Sequence, residues 1–113
     1  MAMHIDTQQQ AAVTVLSPRG PLLAGDAKAV HAAVKDAMSK NLGRVVLDVS
    51  KVPYTDSTGL EMFHGIGTEQ VSAGRVFKIA GANETVREVL ALTEVGALCE
   101  LFDDVTTAVR SFS

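Results

Sequence analysis

Short runs rich in valine and isoleucine alternate along this chain with segments whose apolar residues recur at helical spacing, and the connections between them are short. Few folds satisfy that alternation. Strands separated by helices pair in parallel, and the helices pack on the sheet as crossovers. The expectation is an α/β sandwich, with a mixed, largely parallel sheet of four or five strands and about four helices. At 113 residues and 47% hydrophobic content, the chain is read as one domain, residues 1–113, with a core of its own.

The elements follow from local pattern. AAVTVL at 11–16 reads as a strand that SPRGP interrupts near Ser17. MHIDT would add an edge strand antiparallel to it, with QQQ as the turn or a frayed end. From Asp26 to Lys40, apolar residues at Ala27, Val30, Val34, Ala37 and Met38 form one buried helix face, with Asp26 as N-cap and Gly43 as the stop. RVVLDV at 44–49 suits a central strand covered on both faces. Leu60, Phe63, Ile66, Gln70 and Val71 mark the face of the next helix, and VFKIA at 76–80 the next strand. Asn83 caps a helix carrying Val86, Val89 and Leu90, ended by Gly96 or the turn beyond it. A short strand near 98–102 and a last helix from Asp103 or Asp104 through Val109 complete the reading.

Composition narrows the function. With 20% charged residues and a net charge of -3, the chain has neither a basic nucleic-acid footprint nor a polybasic membrane patch. MAMHIDTQQQ lacks the basic start and apolar run of a secretory signal, and no stretch reaches the roughly 20 apolar residues that span a bilayer. A cytoplasmic protein without membrane insertion is expected. Cys99 stands alone, so it forms no internal disulfide and reads as an inert buried thiol. His4, His31 and His64 are scattered, and the nucleophile-elbow, phosphate-loop and zinc-protease motifs are absent. Gly65-x-Gly67 does not directly follow a strand, as a dinucleotide fingerprint would. No cofactor, no metal and no catalysis by the chain itself are expected.

Most of the functional signal lies in VVLDVSKVPYTDSTGLEMF, residues 45–63, where a strand leads through a proline-containing loop into a helix opening with Asp56, Ser57 and Thr58. A helix start leaves N–H groups unpaired and carries partial positive charge, so a side-chain oxygen or an added phosphate is stabilised there. By spacing alone, capping is a sufficient reason for these residues.

Leu47-Asp48-Val49-Ser50, followed by Asp56-Ser57-Thr58-Gly59-Leu60, resembles the central motif of STAS domains, in the branch of anti-sigma-factor antagonists. Gly20 with Leu22 is similar to that family's earlier Gly-x-Leu region. The resemblance implies that Ser57, directly after the motif aspartate, is a phosphorylation site. It implies that the bare form binds an anti-sigma factor that is itself a serine kinase, that phosphorylation separates the pair, and that a serine phosphatase resets it. The partner-binding residues it points to are Asp56, Ser57, Thr58, Gly59 and Glu61. Asp56 would orient the hydroxyl or cap the helix, and Thr58 would cap it or take a secondary phosphate. Gly59 would let a partner approach the backbone, and Asp48 would organise the loop.

The chain departs from its relatives at two places. Glu61 stands where they usually carry a small residue. Gly65 and Gly67 each weaken a helix by about 1 kcal/mol relative to alanine, so a kinked or short helix is expected. Other readings keep the fold and change the work, to a scaffold subunit of a signalling or lipid-transport complex. A receiver-like domain with Asp48 as phosphoacceptor is disfavoured, because AAVTVLSPRG supplies no acidic pair for its cation and one strand–helix unit, rather than two, precedes Asp48.

Overall fold

The computed structural model describes residues 3–112. In chain order they form β1 (His4–Gln10), β2 (Val13–Arg19), α1 (Ala24–Lys40), β3 (Val45–Asp48), α2 (Ser57–Ser72), β4 (Phe77–Ala80), α3 (Glu84–Ala91), α4 (Val95–Leu98), β5 (Cys99–Phe102) and α5 (Val105–Arg110). Spatial order in the five-stranded sheet follows chain order. β1 is antiparallel to β2, and the remaining pairs are parallel. Parallel neighbours cannot be joined by a tight turn, so α1, α2, and α3 with α4 serve as the crossovers.

β3 sits at the centre and is covered on both faces, as its valine run required. Val45 and Leu47 face the main core, with Phe77 and Ile79 of β4 and with Val30, Val34, Phe63, Ile66 and Leu90 from the helices. Val46 faces the other way, joining Val13, Val15, Ala80 and Ala108 of α5 in a smaller cluster. Lys78 also lies on this side and is only 8% exposed. Its ammonium donates to Glu100 Oε1 at 3.1 Å and Ser111 Oγ at 2.7 Å, and lies 4.6 Å from the Phe112 ring centre. Such partners are what a buried charge requires, and they fasten the chain end to the sheet.

Several boundaries differ from expectation. β1 continues through Gln8, Gln9 and Gln10 instead of turning there; the turn is Ala11–Ala12, with Gln10 opposite Val13 and Ala11 at φ 56°. β2 continues through Pro18 to Arg19, past its last pair with β3 at Leu16. There it has one neighbour, the setting in which a strand tolerates proline. α1 begins at Ala24, two residues before the expected cap at Asp26. α2 is one unbroken helix of 16 residues despite its glycines, because Gly67 lies against Leu98 of α4 and brings the two helices together. Its buried face holds Met62 and Gln70, while Val71 points to solvent. Gly96 does not end α3. It lies inside α4, a short helix beyond the four expected, with its Cβ direction blocked by the Leu90 carbonyl.

Candidate functional site

The chain leaves β3 at Asp48, whose carboxylate fixes the exit. Its Oδ1 accepts from Ser50 N and its Oδ2 from the Ser17 hydroxyl, each at 3.0 Å. Asp48 therefore organises the loop, and the neighbouring end of β2 carries Ser17 and Arg19, where the receiver reading needed an acidic pair. Val52 is buried and pins the middle of the loop, and Asn83, which caps α3, donates to Pro53 O at 3.0 Å.

The last part of the loop is zipped to the segment that precedes α1. Leu22 N donates to Tyr54 O, Asp56 N donates to Leu22 O, and Leu22 and Thr55 form a parallel bridge. The Thr55 hydroxyl donates to Leu22 O at 3.0 Å. Two helix starts are thereby set side by side.

Asp56 serves both. Its Oδ1 accepts from Gly59 N at 2.9 Å, capping α2, and its Oδ2 accepts from Ala24 N at 3.2 Å, holding the first turn of α1. Of the two roles left open for Asp56 by the sequence, the geometry shows capping, and for two helices. Ser57 follows as the first residue of α2 and is exposed. The helix itself leaves the Ser57 and Thr58 N–H groups unsatisfied, so the hydroxyl stands at a positively polarised end.

The remaining predicted residues divide. Thr58 and Glu61 line a groove of about 190 Å³ between α1 and α2, together with Met62, Ala27, Lys28 and His31. Glu61 is exposed beside it, so this departure from the usual small residue lies on the surface. Gly59 is not on that surface. It is buried, and a Cβ there would collide with the Thr55 hydroxyl and come within 2.9 Å of Leu22 O. Glycine is needed here for the loop to close under the helix. Sequence reasoning passed over Thr55 and Lys28 and read His31 only as one of three scattered histidines, though Lys28 and His31 stand at helical spacing.

Cys99 lies away from this site and is partly rather than fully buried, and that burial pushes its thiol up to about 11. Among the described residues no cluster of three or more His, Cys, Asp or Glu could hold a metal ion, and no helix is long and apolar enough to cross a membrane.

The family model described as STAS domain matches residues 4–108. The chain belongs to the STAS domain family. A putative anti-sigma factor antagonist from Thermotoga maritima superposes with a TM-score of 0.83 at 25% identity, over 95% of this chain and 92% of that one. An anti-sigma factor antagonist from Mycobacterium paratuberculosis gives 0.81 at 19% identity, over 96% and 92%. SpoIIAA, a Bacillus cell fate determinant and anti-sigma factor antagonist, shares the fold at 13% identity. Its unphosphorylated form gives a TM-score of 0.70 over 97% of this chain and 96% of that one, and its phosphorylated form 0.72 over 97% and 100%. No curated protein sequence matches the chain.

Proposed function

We propose that this STAS protein is an anti-sigma-factor antagonist that works as a partner switch through Ser57. With Ser57 bare, it binds an anti-sigma factor that is also a serine kinase. Phosphorylation at Ser57 releases it, and a serine phosphatase restores the binding form. The observation that carries the reading is the exposed Ser57 hydroxyl at the first position of a helix whose start Asp56 fixes. The antagonists among the structural neighbours, one of them solved in both phosphorylation states, support it.

The chemistry asks little of this chain. The kinase transfers the γ-phosphoryl group of ATP to Ser57 Oγ, the bond to the departing ADP breaks, and the hydroxyl proton leaves to a base of the kinase. The antagonist supplies a positioned acceptor and no catalytic group. Phosphorylation adds about -1.5 to -2 charges, which the start of α2 tolerates and an interface fitted to a neutral hydroxyl rejects. Ser57, Thr58 and Glu61 present the partner face. Asp56 and Gly59 shape it from beneath, because the oxygens of Asp56 are engaged and Gly59 is buried.

Incubation with the cognate kinase and ATP, followed by mass spectrometry of the intact and digested chain, tests the proposal. One phosphate at Ser57, lost in Ser57→Ala, is the expected result. Equal transfer to Ser57→Ala, or transfer to Asp48, contradicts it.

A further inference from the structure

A phosphate on Ser57 would stand beside a carboxylate that already holds two helices. α1 has no cap of its own, since Leu23 occupies the N-cap position and provides no side-chain hydrogen bond. The group that reaches its first turn is Asp56, 32 positions further along the chain. Of the two bonds Asp56 accepts, the one from Ala24 is longer, 3.2 Å against 2.9 Å, and more exposed than the one from Gly59. Little else packs down that turn. Leu23 is partly exposed, and a Cβ at Gly25 would find nothing within 4 Å.

We infer that Asp56 couples the phosphorylation state of Ser57 to the first turn of α1, giving up its bond to Ala24 when the neighbouring serine carries phosphate. This coupling rests on the proposed phosphorylation of Ser57 and extends it. Adjacent residues place the two negative groups well inside the screening length of about 8 Å at physiological salt. The phosphate also competes for the N–H groups at the start of α2, toward which Asp56 is turned. Repulsion acts on both Asp56 bonds, and the weaker one, to Ala24, breaks first. With the Asp56 cap gone, the turn around Ala24, Gly25 and Asp26 loosens. The switched surface then spans two helix starts instead of one residue.

The test installs phosphoserine at position 57 during translation, so it does not depend on which kinase acts, and reads backbone amide shifts by NMR. Asp56→Ser serves as reference, because a single serine oxygen caps α2 and leaves Ala24 without a partner. In both proteins the Ala24 amide proton should move upfield, with smaller changes at Gly25 and Asp26 and none at Ser39 or Lys40. If phosphoserine leaves Ala24 in place while Asp56→Ser moves it, the coupling is absent. If Asp56→Ser also leaves it in place, the latch itself is absent in solution. If phosphoserine moves Ala24 but no kinase modifies Ser57, the coupling stands and the proposed function falls.

Discussion

The Thr55 hydroxyl occupies the space into which a side chain on Gly59 would project, with the Leu22 carbonyl as a second wall. The two residues therefore act as one packing unit under the start of α2. Gly59→Ala should destabilise the fold by about 1–3 kcal/mol through overpacking, and Gly59→Arg should leave little folded protein. Thr55→Ala in the Gly59→Ala background should recover part of the loss. Thermal unfolding of the single and double variants measures this, and an unchanged midpoint for Gly59→Ala would refute it.

Gly65 and Gly67 lie two residues apart in α2 and should respond to alanine with opposite signs. A Cβ on Gly65 meets only His31 Cε1, at an ordinary contact distance of 3.8 Å. Gly65→Ala should stabilise the protein by up to about 1 kcal/mol from helix propensity. A Cβ on Gly67 would lie 2.8 Å from Leu98 Cβ and 3.2 Å from Leu98 O. Gly67→Ala should therefore cost about 1–3 kcal/mol by forcing α2 and α4 apart. Denaturant unfolding compares the two, and shifts of the same sign would contradict the packing described.

Two carboxylates set part of the acid response. Hydrogen bonds from His4 and then Arg19 hold Asp6 below the usual carboxylate value, and the Thr107 N–H at the start of α5 does the same for Asp104. A folded-state pKa below the unfolded one means that the unfolded chain binds more protons in acid, so stability rises with pH across that interval. Both contributions are complete above the unfolded value near 3.8 and are lost as pH falls through the folded values. Asp6→Asn and Asp104→Asn should each lose less stability than the parent on titration from about pH 6 to about pH 2. Thermal midpoints across that range provide the check, and acid limbs parallel to the parent's would rule the linkage out.

The strand–loop–helix at 45–63 was legible in the sequence because its signals are local. A valine run marks a doubly covered strand, and Asp56, Ser57 and Thr58 mark a helix start. The features that escaped depend on distant partners. Gln8, Gln9 and Gln10 carry no burial pattern, and only the ladder to β2 makes them a strand. The turn at Ala11–Ala12 lacks the glycine or asparagine that usually announces a tight hairpin. α1 begins before Asp26 because its first turn is held by Asp56, from another loop. The packing reason for Gly59 also escaped, since Thr55 and Leu22 fill its side only after the chain has folded.

In the proposed switch, charge at Ser57 decides whether the partner stays. Calorimetric titration of the anti-sigma factor kinase from the same organism against the parent protein, its phosphoserine-57 form and Ser57→Asp tests it most directly. The account predicts tight binding of the parent and a loss of more than about tenfold, or 1.4 kcal/mol, on phosphorylation. Ser57→Asp should fall between them, since it lacks the full charge and acceptor oxygens of phosphate. Equal affinity for the parent and the phosphoserine form, with both proteins folded, would contradict the account.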